Sequence, residues 1–316
     1  MTEPALPRSG DSAPVTTRHL LVLAVGVIAI GWSAPLIRLA EPAPALVIAA
    51  LRLVVAAPPM VAIALVRRER DLGRLQTRDM VLLVLSAAAL AVHFPFWVAS
   101  VQRTSILASV VLVTMQPLFV AIGAWLFLRE RPTRAVMLGI ALGVAGAVLL
   151  VAQGAGDTGT LTGNLFALIG GMMSSVYLVI GRGARRRLST VSYGAVVYSL
   201  TAVFLVALAV GTGTPLGGHS TSSYVFIVLL AVIAHLIGHN ATNWALGSLS
   251  AAVVAVAILG EPVASALIAA ALLDEVPSAL EVAGGAVVLA GVYVALRGSR
   301  AAPDATSADE RAPIEA

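Results

Sequence analysis

The chain has 316 residues, of which 59% are apolar and only 11% are charged, and its mean hydropathy is +0.96. A soluble domain carries roughly 25% charged residues, so this composition excludes a water-soluble globular protein and indicates that lipid is part of the solvent. The net charge of +4 does not indicate a nucleic-acid partner, because the basic residues, all of them arginine, lie in short clusters between apolar segments. The absence of cysteine excludes disulfides and thiolate chemistry.

Ten apolar stretches follow one another along the chain, each close to the roughly 20 residues that cross a bilayer as a helix. Polar tails flank them at residues 1–18 and 298–316, and we predict that both tails are disordered and cytoplasmic. We interpret the first stretch as a spanning helix rather than a removed signal, because a second stretch follows almost at once. The predicted spans, numbered 1 to 10, are residues 19–38, 44–66, 80–101, 105–128, 135–153, 161–181, 190–211, 222–245, 250–273 and 279–297.

The arginines predict the orientation of these spans. With both termini in the cytoplasm, 17 of the 20 arginines fall in inner segments, two (Arg38 and Arg103) fall in outer loops, and one (Arg52) lies within a span. Cytoplasmic loops of membrane proteins carry an excess of basic residues. The split therefore predicts a multi-pass protein of the plasma (inner) membrane with both termini in the cytoplasm.

Two segments align without a gap when the sequence is shifted by 145 residues. The first is QPLFVAIGAWLFLRERPTRAVMLGIALGVAGAVLL, from Gln116, and the second is EPVASALIAAALLDEVPSALEVAGGAVVLAGVYVA, from Glu261. Five spans separate the copies, so the second half is inverted relative to the first, as in transporters that work by alternating access. Chance is a poor explanation for the matched positions, which include Pro117 with Pro262, Glu130 with Glu275, Pro132 with Pro277, Gly139 with Gly284 and Gly146 with Gly291.

These motifs resemble the drug/metabolite transporter superfamily, in its EamA-type two-repeat branch. The resemblance is carried by the mid-helix QP and EP, the RERPT and DEVPS turns, the glycine-spaced helix after each turn, IGWSAPLI in span 1 and ALRLVVAA in span 2. It implies an all-α polytopic membrane protein whose ten transmembrane helices form two inverted five-helix repeats, residues 19–153 and 161–297. It also implies a central cavity between spans 1–4 and 6–9, with spans 5 and 10 peripheral, and a transporter rather than an enzyme.

Polar side chains within spans are costly in lipid, and they are therefore the candidates for substrate binding or coupling. Glu261 lies near the middle of span 9, where its ionised form is expensive unless it is paired or faces water. A protonated Glu261 that hydrogen-bonds a neighbouring helix is the structural alternative. Gln116 is its uncharged partner in the first repeat. Arg52 in span 2 either faces the cavity and pairs with a carboxylate or extends to the lipid headgroups.

Span 8 places His235, His239 and Asn243 four residues apart, and hence on one face of a helix. We interpret this face as a polar wall of the cavity, the alternatives being hydrogen bonds between helices or a metal site completed by Glu261. No further ligand stands at suitable spacing, so we predict neither a metal nor another cofactor. Aromatic residues at the ends of spans more often anchor a protein at the membrane interface, and this is the alternative for the aromatic candidates named next. Further candidates for the same cavity are His93, Trp32, Trp97, Tyr177 and Tyr198.

Pro117 and Pro262 each remove a backbone donor within a span and free a carbonyl four residues back. Their symmetric placement predicts hinges, and a kink that serves only packing is the alternative. The predicted function is a proton-coupled exporter of amino acids or related small metabolites across the plasma membrane, as a monomer or a homodimer. An intramembrane enzyme, a channel and an importer of another metabolite class remain alternatives. No nucleophile–base pair stands out, and an enzyme leaves the inverted repeat unexplained.

Overall fold

The computed structural model describes residues 17–69, 71–128, 132–153, 158–184, 188–246 and 257–299. These ranges contain helices and no strands. The helices are α1 Thr17–Gly31, α2 Ser33–Leu39, α3 Ala45–Val66, α4 Thr77–Val101, α5 Ile106–Val113, α6 Gln116–Leu128, α7 Arg134–Gln153, α8 Thr158–Ala184, α9 Thr190–Gly211, α10 Thr221–Leu229, α11 Asn240–Leu246, α12 Glu261–Leu273 and α13 Ala279–Ser299. A π-helix, Leu230–His239, joins α10 to α11, and a short 3₁₀ turn, Leu72–Arg74, precedes α4.

Nine apolar helical stretches within the described residues are long enough to cross a membrane, and α12 is a shorter tenth. They correspond to the ten predicted spans, although residues 250–256 of the predicted ninth span lie outside the described residues. Spanning helices satisfy their own backbone hydrogen bonds, which is why apolar length alone locates them. The prediction of an all-α polytopic membrane protein is confirmed.

The helix pairs that pack together have the symmetry of an inverted repeat. Exchanging each span with its counterpart five spans away exchanges α3 with α9 and α7 with α13, and both of these pairs pack directly. The same exchange converts the contact of α4 with α8 into a contact of span 8 with α1, which is also present. It converts the contact of α6 with α8 into the observed contact of α12 with α1. One two-fold operation thus accounts for the main neighbours in both halves.

Glycines allow α7 and α13 to approach closely at two points. A Cβ atom on Gly139 would come within 2.5 Å of the carbonyl oxygen of Gly291, and one on Gly146 would come within 2.7 Å of the carbonyl oxygen of Gly284. In the sequence repeat Gly139 corresponds to Gly284 and Gly146 to Gly291, so a two-fold operation exchanges the two contacts. The small-residue face of α7 is therefore occupied within the chain.

Spans 4 and 9 are interrupted at equivalent positions near their middles. In span 4 the helix α5 ends at Val113 and α6 begins at Gln116. In span 9 residues 259 and 260 form a turn and α12 begins at Glu261, which is 145 residues after Gln116. Irregular backbone at membrane depth is tolerated where it is buried in protein or lines a cavity. These breaks are therefore places where a site can form.

The two prolines follow the breaks directly. Pro117 and Pro262 are the second residues of α6 and α12, where a missing N–H removes no helical hydrogen bond. At the first break the hydroxyl of Thr114 donates to the carbonyl oxygens of Val110, at 2.7 Å, and Val111, at 2.9 Å. Each proline thus marks a helix restart rather than a kink within a continuous helix.

Hydrogen bonds tie the two halves together at both ends of the bundle. At one end the carboxylate of Asp71 accepts from the N–H of Ser189 at 2.7 Å and from the hydroxyl of Ser192 at 2.6 Å, at the start of α9. At the other end Glu275, between α12 and α13, accepts from the N–H of Ile106 at 2.5 Å and lies 3.5 Å from Arg38. We call these the Asp71 end and the Glu275 end.

Candidate functional site

Arg52 of α3 is fully buried, with 0% of its surface exposed. Its guanidinium carbon lies 4.3 Å from the centre of the Phe94 ring and 5.7 Å from that of Trp97. Among the described residues, Nε, Nη1 and Nη2 of Arg52 have no hydrogen-bond partner. The side chain therefore does not extend to the headgroups, as one interpretation of the sequence allowed. It places up to five donors in the protein interior that need an acceptor.

α4 supplies one aromatic wall around this guanidinium. Phe94 and Trp97 are one helical turn apart and so lie on the same face, and both are buried. Trp97 stacks on His93 with ring centres 5.9 Å apart. His93 is held in place because its Nδ1 lies 2.8 Å from the carbonyl oxygen of Gly170, to which it donates. The indole Nε1 of Trp97 has no hydrogen-bond partner in the described part of the chain.

The π-helix and α9 supply further rings. The ring of His235 lies 4.3 Å from that of Tyr198 in a T-shaped contact and 5.8 Å from that of Phe94. His239 lies 5.3 Å from His235, so the predicted shared face of these two histidines is present, although the segment is a π-helix rather than an α-helix. Neither ring nitrogen of His235 is hydrogen-bonded to another described residue.

Glu261 brings the acidic group to this cluster. It is the first residue of α12, is 8% exposed, and interacts electrostatically with Arg52. Arg52 also interacts electrostatically with Tyr198, His93 and His239. The chemical result is one fixed cation in contact with aromatic rings and one buried carboxyl group that interacts with it electrostatically. Both charges are screened little by solvent there, so each strongly affects what the other binds.

Other sequence-predicted residues have different neighbours in the described structure. Gln116 is half-buried at the start of α6, and its backbone carbonyl accepts from the Ser175 hydroxyl at 3.1 Å. Trp32 is half-buried against the main apolar core. Tyr177 lies with its ring 6.2 Å from that of Tyr193. The side chain of Asn243 lies outside the described residues.

Two further observations define the chemistry of the cluster. Phe94 is the ring that touches both Arg52 and His235, and it was not among the residues predicted from the sequence. Its position one turn before Trp97 on the face that also carries His93 is the signal that points to it. In the described ranges, no group of three or more His, Asp or Glu side chains is arranged to hold a metal ion.

Known proteins resemble this chain along most of its length. It is 23% identical over 216 residues to an "Uncharacterized transporter" of Archaeoglobus fulgidus, covering 67% of this chain and 74% of that protein. It is 28% identical over 183 residues to "Uncharacterized transporter YdfC" of Bacillus subtilis, covering 57% of this chain and 59% of that protein. A crystal structure with 19% identity superposes with a TM-score of 0.64, covering 90% of this chain and 99% of that one. The last likeness shows the fold alone.

The sequence profile of a family matches the chain twice, at residues 17–152 and at residues 161–297. The two matches span most of the sequence and fall on its two halves. These matches support the family resemblance that the QP, EP, RERPT and DEVPS motifs indicated. The inverted packing of the helices and the interruptions in spans 4 and 9 support it as well. The chain belongs to the EamA-like transporter family.

Proposed function

We propose that the protein is a proton-coupled exporter of amino acids or related small metabolites, placed in the plasma membrane and working by alternating access. The observation that carries this proposal is the burial of Arg52, from the first repeat, and Glu261, from the second, which interact electrostatically beside a cluster of rings. A membrane protein places a cation and an acid at this depth only at a high cost, which favours a functional use.

Arg52 is the group that binds the substrate carboxylate. A guanidinium binds a carboxylate with two parallel hydrogen bonds, and Arg52 has no competing hydrogen-bond partner among the described residues. Trp97 can add its indole N–H to the same carboxylate, since the centre of its ring lies 5.7 Å from the guanidinium carbon and its buried Nε1 lacks a described partner. The N-terminus of α12 adds a positive backbone dipole to this side of the cluster.

Glu261 is the coupling group. Its ionised form attracts the ammonium group of an amino acid whose carboxylate is on Arg52, so that the zwitterion bridges the two side chains. A proton on Glu261 removes this attraction, and protons and substrate therefore compete for one site. When the outside is more acidic than the cytoplasm, protonation favours release outside and deprotonation favours binding inside, which is export. Gln116, the partner in the first repeat, has the same shape and does not titrate.

The interrupted spans are the moving parts of this proposal. Pro117 and Pro262 stand beside the breaks and serve as hinges, because fewer backbone hydrogen bonds resist rotation there. Of the remaining predicted residues, His93, His235, His239, Trp32 and Tyr177 line or flank the path of the substrate in this proposal. The contacts at the Asp71 end and the Glu275 end then break in turn as each side opens. The arginine distribution supports a cytoplasmic Asp71 end and cytoplasmic termini in this proposal.

Transport by purified protein in liposomes of known orientation tests this function. We expect amino acids to be concentrated on the acidic side under an imposed pH gradient, with affinity falling as the pH falls on the binding side. In Glu261→Gln, substrate binds more weakly through Arg52 alone, exchange down its gradient persists at high substrate concentration, and accumulation driven by the pH gradient is lost. Glu69→Gln, which removes a carboxyl group from the loop after α3, is the matched control and keeps coupling. Coupled accumulation by Glu261→Gln with an unchanged pH profile would exclude this mechanism.

A further inference from the structure

Arg38 joins the two repeats at the Glu275 end, and its guanidinium lies between two carboxylates. Its Nη2 is 3.5 Å from Glu275, which belongs to the second repeat, and its Nε is 3.9 Å from Glu41, which belongs to the first. Nη2 also donates to the carbonyl oxygen of Thr104 at 2.7 Å. Nε is buried and has no hydrogen-bond partner among the described residues. One cation is thus shared by two acids, and one of its donors is used by neither.

Glu275 also holds the loop between α4 and α5. Its carboxylate accepts from the N–H of Ile106 at the start of α5, and the carboxylate of Glu281 accepts from the neighbouring Ser105 hydroxyl. Both acids belong to the second repeat, whereas the loop belongs to the first. The Glu275 end can therefore open only if Glu275 leaves both Arg38 and Ile106. We call these two contacts of Glu275 the Arg38 latch.

Glu41 is the titratable group that shares Arg38 with the latch. Its side chain is 38% exposed, so protons reach it from the solvent. Burial raises the pKa of Glu41 above its ordinary value of 4.5, Arg38 lowers it by less, and the neighbouring charge of Glu275 raises it further. Three other charged side chains that the structure describes at this end form no ion pair with Glu41, namely Arg103, Asp274 and Glu281.

We propose that Glu41 is a pH sensor of the Arg38 latch, and that its protonation strengthens the latch. An ionised Glu41 competes with Glu275 for the guanidinium and repels the Glu275 carboxylate, so it weakens the contact between the repeats. A protonated Glu41 does neither, and Arg38 then pairs with Glu275 alone. Acid therefore favours the closed form of the Glu275 end.

Proton linkage gives the same direction. When the latch opens, Glu275 moves away and Glu41 enters water, so the pKa of Glu41 returns towards its ordinary value of 4.5. The latched state, in which this pKa is raised, then binds the proton more tightly than the open state. The latched fraction rises as the pH falls towards the ordinary value, and this gain is lost as the pH rises through the raised pKa.

This sensor goes beyond the proposed transport and does not depend on the identity of the substrate. The proposed orientation places the Glu275 end outside the cell, so strong external acid holds the outer side closed. The same acidity drives the proposed export through Glu261. The Arg38 latch thus limits the rate of transport under the conditions in which the driving force is largest.

Distances between two spin labels test the proposal. The chain has no cysteine, so two introduced cysteines are the sole labelling sites. Arg103→Cys and Val276→Cys place one label on each repeat, at exposed positions beside the latch. Pulsed electron paramagnetic resonance on the purified protein gives the distance distribution between the labels. From about pH 7.5 to about pH 4.5 we expect the fraction at the short, latched distance to rise at least about twofold.

Two variants in the labelled protein assign this response to Glu41. Glu41→Gln has the shape of the protonated acid and does not titrate, so we expect the short distance to predominate at both pH values. Asp274→Asn is the matched control, because it removes an exposed acid next to Glu275. Asparagine tolerates the left-handed backbone of this position, where φ is 54°. We expect this control to respond to pH as the labelled parent does, and melting temperatures show that each protein is folded.

Three results would overturn the role of Glu41. They are a parent distribution that does not change with pH, a shift towards longer distances in acid, and a response of Glu41→Gln as large as that of the parent. Glu41→Gln retains Glu261, so a response that arises at the central site persists in this variant and is distinguished from that of the latch. The measurement needs no substrate. An acid response that depends on Glu41 therefore supports the latch even if the proposed amino-acid transport fails.

Discussion

One double substitution that includes Arg52 is expected to abolish amino-acid binding and yet increase the stability of the folded protein. Arg52→Met combined with Glu261→Gln removes the buried cation and the acid together, so that neither is left as an isolated charge. Methionine fills a similar length with apolar atoms and needs no hydrogen bond. We expect the doubly substituted protein to be more stable than the wild type and unable to bind amino acids.

The number of unpaired nitrogens on Arg52 and its ring contacts give the size of the expected change in the free energy of unfolding. An unsatisfied buried polar group costs about 1–3 kcal/mol, and three nitrogens of Arg52 lack partners among the described residues. The contact of the guanidinium with Phe94 and Trp97 offsets this by about 2 kcal/mol. Replacement of buried ion pairs by apolar residues is commonly neutral or stabilising by about 1–4 kcal/mol. We therefore expect the free energy of unfolding to rise by about 1–4 kcal/mol.

Thermal unfolding in detergent measures the first part of this prediction, with a shift of about 2–4 °C expected for each kcal/mol. Ligand-induced stabilisation measures the second part, because a ligand that binds the native state raises its apparent melting temperature. The wild type shifts upward with substrate, and the doubly substituted protein does not. Both quantities come from the same samples.

Arg38→Met is the matched control for a cation that does have partners. Arg38 donates to the carbonyl oxygen of Thr104 at 2.7 Å and lies 3.5 Å from Glu275. Removing it leaves the Thr104 carbonyl oxygen without this donor and Glu275 without its nearby cation, so we expect the melting temperature to fall. If the Arg52→Met, Glu261→Gln protein were destabilised as much as Arg38→Met, then Arg52 would be a structural residue with partners of its own, and the reasoning would be wrong.

Two further predictions concern the frame around the cluster. Burial raises the pKa of Asp71, but hydrogen bonds from the Ser192 hydroxyl and nearby backbone N–H groups outweigh it and lower that pKa below its ordinary value of 3.8. The wild type should therefore be more stable than Asp71→Asn by about 1 kcal/mol near neutral pH, with a difference that disappears as the pH falls below about 4, measured by thermal unfolding. Gly291→Ala should lower stability by about 1–3 kcal/mol, because the added Cβ would meet the Gly139 carbonyl oxygen, whereas Gly123→Ala, with open space around it, should not. Equal melting temperatures for the two alanine variants would contradict the close approach of α7 and α13.

The spans were predictable from the sequence because, in lipid, the requirement for backbone hydrogen bonds must be met within each helix. Each spanning helix must hold its own backbone hydrogen bonds within a stretch of fixed length, so apolar length alone places it. The π-helix Leu230–His239 was not predictable in this way. Its residues have the apolar character of any span, and whether a helix accommodates wider turns depends on what packs against it.

The prolines illustrate a partial prediction. Pro117 and Pro262 mark the depth at which spans 4 and 9 depart from regular helix, as their missing N–H requires. The sequence does not distinguish a kink from a complete restart. That choice is made by partners elsewhere in the chain, such as Gly171 of α8, where a Cβ atom would lie 2.9 Å from the Val113 carbonyl oxygen.

The charged residues of the candidate site were predictable from the sequence, whereas the ring Phe94 that contacts Arg52 and His235 was not. Arg52 and Glu261 stand out because each is expensive in lipid wherever it lies. Phe94 carries no such signal, since an aromatic residue in a span can pack in an apolar core as readily as it can line a site. Its contacts with Arg52 and His235 join residues from three different spans, and only the packing of helices brings them together.

The restart of two helices at Gln116 and Glu261 has a consequence for how selectivity can change. Each restart exposes a helix N-terminus inside the bundle, and a helix N-terminus attracts negative charge through its backbone whatever its side chains are. The backbone of the two restarted helices thus supplies part of the attraction for an acidic group at the centre of the bundle. Side chains such as His235 can then be exchanged one at a time without loss of that attraction. A library that varies the walls while keeping Arg52, Pro117 and Pro262 is a practical starting point for redirecting the protein to new cargo.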